Sequence, residues 1–351
     1  MRKSFAELTT MRLGGDAAEY AAVHTTADLV EAVSAADVAG TPVVVLGEGS
    51  NLVVGDGGFD GIAVHVRTGG FDIDGATVTV DAGVHWDDVV TRTLDAGLGG
   101  LEPLSGVPGS TGGTPVQNVG AYGALVSQFL HDVQAFDRRT REIVTIPGGA
   151  CGFGSHRQSI FKHSDRWVIL SVRFALDQTG TSRPIVYAGL AQRLALNVGD
   201  VAATDDVRAA VLELRRERAM LLDADDHDTW SVGSFFINPV LPSIPVKARD
   251  CPTYPDVAGV KLPAGWLIDH AGFAPGYGAQ WGRGRVRLST KHALAVTNRG
   301  GATTGEVMAF AAHIREGVER AFDVRLGPEC DLVNCSFDDP APEWLAAASA
   351  N

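Results

Sequence analysis

The sequence predicts an α+β chain with two domains. Segments with helical periodicity and segments with strand periodicity follow one another irregularly in the first half, which is typical of a mixed α and β architecture. The chain has 351 residues, of which 45% are hydrophobic, so it has enough apolar material for two hydrophobic cores. A charged amphipathic helix predicted at 205–222 separates the halves and marks the expected domain boundary.

The first half begins with a helix followed by a strand. Thr26 is the expected cap of this helix and Gly40 its end, because a threonine side chain accepts a first-turn N–H and glycine readily leaves the helix in a left-handed conformation. Alternation, apolar runs and turn residues then predict strands at 43–46 and 77–82, a helix at 86–94, a hairpin of strands at 132–137 and 142–146, and a strand at 167–174.

The second half contains one long predicted helix. Thr303 and Glu306 have the spacing of a capping box, and apolar residues recur after them with helical periodicity as far as Phe322. We expect this helix to cover one face of a sheet.

The most informative feature is a glycine-rich run at 105–123, which contains six glycines. Backbone N–H groups in such a run can approach a charged phosphate closely, because glycine has no side chain. The run matches neither G-x-x-x-x-G-K-[ST] nor the G-x-G-x-x-G that follows a first Rossmann strand. It therefore predicts a diphosphate-binding loop of another kind, with a turn-rich surface loop as the alternative.

A second glycine cluster, at 47–52, directly follows the predicted strand at 43–46. A strand that runs into such a turn is typical of a ligand-binding loop, although the same residues also suit an ordinary tight turn.

Three other segments carry reactive side chains. Arg157 is suited to a forked contact with a carboxylate or phosphate, and a solvated surface arginine is the alternative. Ser234 stands between a glycine and two aromatic residues, which suits transfer of one proton as well as a hydrogen-bonded structural role. Glu329 lies between a turn and an expected strand, and by itself is also typical of a surface residue.

Composition excludes several classes of protein. The net charge of −13 disfavours nucleic acid, although Arg283, Arg285, Arg287 and Lys291 form a local basic stretch that suits either a small phosphate ligand or a solvated strand. The four cysteines form no C-x-x-C pair, so we expect free thiols and no metal site. Neither a signal peptide nor a membrane span is predicted, and we expect a cytoplasmic protein that acts as a monomer.

Taken together, these segments resemble one family over nearly the whole chain, the UDP-N-acetylenolpyruvoylglucosamine reductases (MurB), in their longer type with a tyrosine-bearing loop. The resemblance rests on residues 9–15, 47–52, 107–123, 157–162, 184–187, 233–239, 265–268 and 328–329. It implies an FAD-binding domain of the vanillyl-alcohol-oxidase (PCMH) type at 16–180, the tyrosine loop and linker helix at 181–215, and an α+β substrate-binding domain at 216–345.

The resemblance also implies a reaction in bacterial peptidoglycan precursor synthesis. NADPH reduces non-covalently bound FAD, and flavin N5 passes a hydride to the terminal carbon of UDP-N-acetylglucosamine enolpyruvate, giving UDP-N-acetylmuramate. In this chain the matching catalytic residues are Ser234 as proton donor and Arg157 and Glu329 as stabilisers of the enolate.

Binding residues are implied in the same way. The positions that match FAD contacts are Gly47, Gly49, Ser50, Asn51, Pro108, Gly109, Ser110, Asn118, Gly120, Ala121 and Gly123. Those that match contacts with the UDP-sugar are Tyr187, Arg218, Asn238 and His292, where Arg218 replaces a lysine and His292 a glutamine that occur in the family.

Two other functions remain open at the level of sequence. A flavin oxidase of the same FAD fold would account for both glycine clusters, but such enzymes often tether the flavin through a histidine in the first loop, and 47–51 has none. A non-catalytic binding protein for a flavin or nucleotide-sugar would have no use for the combination of Arg157, Ser234 and Glu329.

Overall fold

The computed structural model describes residues 2–154 and 158–339 and divides the chain into two units. The first unit consists of Glu19–Glu48 and Gly61–Leu221, and the second of Arg2–Ala18, Gly49–Asp60 and the chain from Leu222 onward. No helix among the described residues has the length and apolar character needed to cross a membrane.

The described residues form eighteen strands and seven α-helices, each set numbered in chain order. The strands are β1 (Lys3–Ser4), β2 (Asp16–Val23), β3 (Val43–Leu46), β4 (Leu52–Val54), β5 (Phe59–Val66), β6 (Phe71–Asp74), β7 (Thr77–Asp81), β8 (Gly120–Ala121), β9 (Ala124–Leu125), β10 (Leu130–Asp137), β11 (Glu142–Pro147), β12 (Trp167–Ala175), β13 (Val240–Leu241), β14 (Tyr254–Asp256), β15 (Gly259–Lys261), β16 (Val286–Leu288), β17 (Val296–Asn298) and β18 (Asp331–Val333). The α-helices are α1 (Thr26–Ala39), α2 (Trp86–Asp95), α3 (Gly113–Val116), α4 (Ala188–Arg193), α5 (Thr204–Glu217), α6 (Ala264–His270) and α7 (Thr304–Phe322).

In the first unit, β3 and β5 pair in parallel, with Val43 opposite Ile62 and Leu46 opposite His65. A second sheet has the strand order β11-β10-β12-β7-β6, and each of its adjacent pairs is antiparallel. The predicted hairpin is confirmed as β10 and β11, and the predicted strand at 167–174 as β12. Alternate residues of these strands pack with α1 and α2 into one core, whose largest buried side chain is Trp86.

Helix ends in this unit follow local side-chain chemistry. The predicted cap of α1 is wrong by one residue, because Thr25 and not Thr26 accepts the N–H of Asp28, at 3.1 Å. Gly40 ends that helix in the left-handed conformation as predicted, with φ of 68°. Helix α5 ends at Glu217, short of the predicted 222, because Ala219 turns the backbone left-handed and Met220 N–H bonds back to the carbonyl of Arg215.

The second unit packs its core around α7. Val307, Phe310 and Ile314 of this helix are fully buried, together with Phe235 and Met11. The predicted capping box is confirmed, since Thr303 Oγ1 accepts from Glu306 N at 3.2 Å and the Glu306 carboxylate accepts from Thr303 N at 2.9 Å.

Segments from three parts of the chain build this unit. Strand β4 pairs in parallel with β18, with Leu52 opposite Asp331. The carboxylate of Asp56 accepts the N–H groups of Thr304 and Gly305 at the start of α7, at 2.7 and 2.8 Å.

The domain limits 16–180, 181–215 and 216–345 stay a prediction, and the two compact units are bounded at other residues. Residues 49–60 belong to the second unit, where β4 pairs with β18. Residues 181–215 belong to the first, where Arg208 pairs with Asp87 and Arg215 donates to Gly106 O. Local periodicity carries no information about either association, since both join segments that are distant in sequence.

Candidate flavin and substrate sites

The glycine cluster at 47–52 follows β3 and is the first glycine loop in chain order. It is packed too tightly for side chains at two of its positions. A Cβ atom added at Gly47 would clash with the hydroxyl of Ser110, so the two glycine-rich loops meet at this point in the first unit. Gly49 has a φ of 59°, and a Cβ there would clash with the carbonyl oxygen of Leu8. Glycine at both positions is therefore a requirement of the loop's own packing.

The glycine-rich run at 105–123 is the second glycine loop in chain order, and it is fixed to the segment that begins α2. Gly109 O accepts from Trp86 N at 2.9 Å, and Thr111 N donates to Val84 O at 2.9 Å. Within the part of the chain that the structure describes, the N–H groups of Gly109 and Ser110 donate to no backbone carbonyl. These two adjacent donors on a rigidly held turn are suited to an anion, and Gly109 has a φ of 125° that favours glycine.

The end of the same run forms a tight hairpin of β8 and β9. Asn118 has a φ of 40° and its Oδ1 accepts from Ser127 N at 3.0 Å, which makes this asparagine a turn residue as well as a predicted FAD contact. A Cβ at Gly123 would lie 2.5 Å from Val186 Cγ2, so the hairpin approaches the segment that carries Tyr187. Gly120 and Ala121 are the two residues of β8 and pair with Leu125 and Ala124.

Two tyrosines and an arginine form a group in the first unit. The rings of Tyr122 and Tyr187 meet edge to face with centroids 5.5 Å apart. Both terminal nitrogens of Arg218 lie 3.4 Å from Tyr187 Oη and donate to it. Burial raises the pKa of the Tyr122 phenol, so this hydroxyl stays neutral and keeps its proton for hydrogen bonding. The predicted substrate residues Tyr187 and Arg218 are thus neighbours.

The segments that carry Ser234 and Glu329 lie side by side in the second unit. Glu329 N donates to Phe235 O at 2.8 Å, Ile237 N donates to Gly327 O at 3.1 Å, and Phe236 forms an antiparallel bridge with Pro328. Ser234 is partly buried and Glu329 is 8% exposed. Two candidate catalytic residues that are 95 positions apart in sequence are therefore carried by adjacent segments that hydrogen-bond to each other.

Asn51 also joins this arrangement. Its carbonyl accepts from Asp331 N at 2.9 Å, and its side-chain amide donates to the carbonyl of Glu329 at 3.4 Å. The predicted FAD residue Asn51 thus touches the backbone of the predicted catalytic residue Glu329.

Asn238 and His292 have structural contacts of their own. Asn238 Oδ1 accepts from Ala264 N at 2.8 Å at the start of α6, and its NH₂ group remains the polar end suited to a ligand. His292 Nδ1 accepts from Leu294 N at 3.1 Å, and Leu294 O accepts from Phe235 N at 2.9 Å. The turn with His292 is therefore bonded to the segment with Ser234.

Arg157, the third predicted catalytic residue, lies outside the described residues. The segment just after it is anchored in the first unit, where Ser159 Oγ donates to Val116 O at 2.8 Å and Lys162 Nζ donates to Gln117 Oε1 at 2.9 Å. These contacts fix 159–162 to the end of the second glycine loop.

The basic stretch near 285 neutralises carboxylates of its own chain. Arg285 donates to Glu306 at 2.6 Å and Lys291 to Asp226 at 3.1 Å. The four cysteines are free thiols, and among residues 2–154 and 158–339 no group of histidine, cysteine, aspartate and glutamate side chains is arranged to hold a metal ion.

Comparison with known proteins identifies the family. A model of an FAD-binding domain matches residues 17–146, and a model of the C-terminal domain of UDP-N-acetylenolpyruvoylglucosamine reductase matches residues 225–333. A protein of that name from Nocardia farcinica is 50% identical over 336 residues, which cover 92% of this chain and 87% of the relative. The chain belongs to the UDP-N-acetylenolpyruvoylglucosamine reductase family. A member of this family from Streptomyces coelicolor is 47% identical, with 92% of this chain and 86% of the relative covered.

A solved structure of a UDP-N-acetylenolpyruvylglucosamine reductase from Thermus caldophilus has the same fold, with a TM-score of 0.66 and 23% identity over 95% of this chain and 98% of that one. The predicted α+β class, with an FAD-binding domain before a reductase-type C-terminal domain, is confirmed. As a family member with an FAD-binding domain, the chain is an FAD-dependent oxidoreductase. The second glycine loop suits that cofactor, because the adjacent N–H groups of Gly109 and Ser110 are donors suited to a diphosphate.

Proposed function

We propose that this enzyme reduces UDP-N-acetylglucosamine enolpyruvate to UDP-N-acetylmuramate with NADPH, in peptidoglycan precursor synthesis in the bacterial cytoplasm. The observation that carries the proposal is the pairing of the segments that hold Ser234 and Glu329, by the hydrogen bond from Glu329 N to Phe235 O. A flavin reductase of a carbon–carbon double bond needs an acid and a charge stabiliser close together, and this pairing supplies both residue types.

Bound FAD supplies the hydride-transfer chemistry, and the glycine loops around Gly47 and Gly109 are the residues we assign to its diphosphate. Addition of hydride to the terminal carbon of an enolpyruvyl ether develops negative charge towards the adjacent carboxylate. Arg157 and Glu329 are assigned to that carboxylate, with Glu329 in its protonated form so that it can donate a hydrogen bond. A cation and a hydrogen-bond donor there favour the enolate over the ground state. The Ser234 hydroxyl then donates its proton to the carbon that carries the ether oxygen.

The rest of the substrate is assigned to four residues. Arg218 and Tyr187 hydrogen-bond to each other and together offer a cation and a hydroxyl to the diphosphate of UDP. The side-chain NH₂ group of Asn238 and the ring of His292 are assigned to the sugar.

The test separates the two halves of the reaction in a Ser234→Ala variant. Under anaerobic conditions NADPH should bleach the flavin absorbance of this variant at the normal rate, because the serine has no part in that step. Reoxidation by the enolpyruvyl substrate should slow by about 10² to 10⁴, the usual loss for a positioned acid.

Ser231→Ala is the matched control. The Ser231 hydroxyl is buried and accepts from Gly233 N at 3.1 Å, so its loss should lower stability by about 1 kcal/mol and leave both half-reactions intact. Normal reoxidation of Ser234→Ala would remove Ser234 from the mechanism. Bleaching of the wild-type enzyme that only oxygen reverses would point to a flavin oxidase, and tight binding of the substrate with no spectral change would point to a binding protein.

A further inference from the structure

Gly106, three residues before Gly109, is held at both of its peptide groups by charged side chains. Asp87 Oδ1 accepts from Gly106 N at 2.6 Å, and Arg215 Nε donates to Gly106 O at 3.1 Å. The residue is left-handed, with φ of 68°, and a Cβ there would lie 2.5 Å from Leu221 Cδ2. The backbone of the second glycine loop is therefore held firmly at Gly106, before it reaches Gly109.

Helix α5 contributes to both bonds of Gly106, because it carries Arg215 and also Arg208, which pairs with Asp87 of α2. Arg208 and Arg215 are seven residues apart, so two helical turns place them on the same face. Arg208 forms a two-pronged ion pair with Asp87, with both nitrogen–oxygen distances at 2.7 Å. Burial opposes ionisation of Asp87, but the bonds from Arg208 and from Gly106 N outweigh it and hold the pKa of this carboxyl below its usual value.

Arg215 is an unusual choice for this position. The residue is only 8% exposed, and burial lowers the pKa of its guanidinium. Besides the bond from its Nε to Gly106 O, the Arg215 side chain donates from Nη2 to the carbonyl of Met220, at 2.7 Å. A buried guanidinium is costly unless its donors are satisfied, and here it is placed so that its forked end reaches two carbonyls that a single ammonium could not bridge.

The first turn of α2 completes the support of this segment. Trp86 Nε1 donates to Leu104 O at 3.0 Å, Asp87 accepts from Gly106, and Trp86 N donates to Gly109 O at 2.9 Å. Two adjacent residues of α2 thus hold the segment at 104–109 at three points. Each contact lies within the first unit.

We propose that Asp87, Arg208 and Arg215 are positioning residues for FAD: they fix Gly106 so that the N–H groups of Gly109 and Ser110 face the cofactor's diphosphate. This rests on the assignment of the second glycine loop to FAD in the proposed function. The three side chains act through the backbone of Gly106, and the ion pair of Asp87 with Arg208 orients the carboxylate that Gly106 needs.

The experiment measures the release of FAD from the loaded full-length protein after dilution, by the rise of free-flavin fluorescence. Arg215→Lys keeps the charge but loses the two-carbonyl fork, and we expect release about tenfold faster than in the wild-type protein. A double variant, Asp87→Arg with Arg208→Asp, keeps an ion pair but takes the acceptor away from Gly106 N, and should release FAD faster to a similar degree. If the pair were only structural, the exchange would restore the wild-type rate.

The matched control is Arg138→Gln. Arg138 and Asp37 form another two-pronged pair in the first unit, with both side chains 19% exposed, against 19% and 24% for Arg208 and Asp87. This control should lower the melting temperature and leave FAD release unchanged. The proposal fails if Arg215→Lys and the exchange variant release FAD at the wild-type rate, or if Arg138→Gln accelerates release as much as they do.

A Gly109→Val variant separates this proposal from the one on which it rests. Accelerated release from Gly109→Val together with unchanged release from Arg215→Lys would overturn only the role of the positioning residues. Unchanged release from Gly109→Val would overturn the assignment of the loop to FAD and the positioning role with it.

Discussion

At the scale of single residues, Gly47 shows how closely the two glycine loops pack. A Cβ at this position would clash with Oγ of Ser110 and lie 2.8 Å from its Cβ. Gly47→Ala should therefore push the loops apart, at a local cost of roughly 1–3 kcal/mol, and weaken FAD binding. Titration of the protein with FAD, followed by quenching of flavin fluorescence, measures the change in Kd.

Shortening the opposing side chain provides the check on this argument. In the double variant Gly47→Ala with Ser110→Gly the clash partner is gone, so FAD affinity should recover towards that of Ser110→Gly alone. Gly69→Ala serves as control, because nothing lies near its added Cβ and its backbone is not left-handed. Equal affinity of Gly47→Ala and the wild-type protein would show that the loops separate without consequence for FAD.

At the scale of the element, the start of α7 depends on a reciprocal cap. Thr303→Ala removes the acceptor of Glu306 N and should lower the free energy of unfolding by about 1 kcal/mol. Thr303→Ser keeps the hydroxyl, so its free energy of unfolding should fall much less. Urea unfolding monitored by circular dichroism measures both, and activity per folded molecule should stay the same, since Thr303 has no assigned role in the reaction. An unchanged midpoint for Thr303→Ala would mean that water replaces the cap at no cost.

Strand β10 ends in a carboxylate that makes stability depend on pH. Arg166 donates to both oxygens of Asp137, at 2.9 and 2.6 Å, and these bonds lower the pKa of Asp137 from 3.8 to about 2. A depressed folded-state pKa contributes stability that is complete above the unfolded value and is lost as pH falls towards the folded one. Asp137→Asn should therefore be less stable than the wild-type protein at pH 7.

That difference in unfolding free energy should shrink as the pH falls from about 4 towards about 2, where the wild-type carboxylate takes up its proton. Chemical denaturation at a series of pH values gives the curve. Asp72→Asn, at an exposed position of β6, is the control. Its difference in unfolding free energy from the wild-type protein should stay constant over this pH range. A constant difference between Asp137→Asn and the wild-type protein over this range would contradict the argument.

Sequence reasoning succeeded where the signal is local. The cap of α7, the left-handed end of α1 at Gly40 and the apolar run of β3 each depend on a few consecutive residues, and each was predicted from them. It missed Asp87 and Arg215 because their significance lies in a shared contact with Gly106, and nothing in a helical charge pattern distinguishes these residues from solvated ones. The neighbouring positions of Ser234 and Glu329 likewise depend on a pairing across 95 residues, which the sequence suggested only through resemblance.

At the scale of the whole molecule, the chain passes between its two units several times. The second unit takes Arg2–Ala18 and Gly49–Asp60 from the first 60 residues and its remaining described residues from 222–339. Its early segments are integral to it: Thr10 Oγ1 donates to Ser231 O at 2.8 Å, and Asn298 Nδ2 donates to Met11 O at 3.0 Å. The family model for the C-terminal domain, at 225–333, covers only the last of these segments.

A fragment limited to residues 216–345 should therefore fail to fold cooperatively. It would leave β18 without β4, the start of α7 without Asp56, and the core without the buried side chains of Met11, Leu13 and Val53. Thermal circular dichroism of the fragment should show no sharp transition.

Adding the missing segments supplies the matched comparison. Co-expression of residues 1–60 with the 216–345 fragment offers β4, Asp56 and Met11 in trans, and should yield a complex that melts cooperatively and co-purifies. A cooperative melt of the 216–345 fragment on its own would show that its apolar core is sufficient without the early segments. Because Asn51 contacts both Asp331 and Glu329, the same comparison bears on the reaction. Without residues 49–60 the Glu329 carbonyl loses the Asn51 amide and Asp331 N loses its acceptor, while the bond from Glu329 N to Phe235 O remains. We therefore expect the early segments to support both the fold of the second unit and the backbone around Glu329.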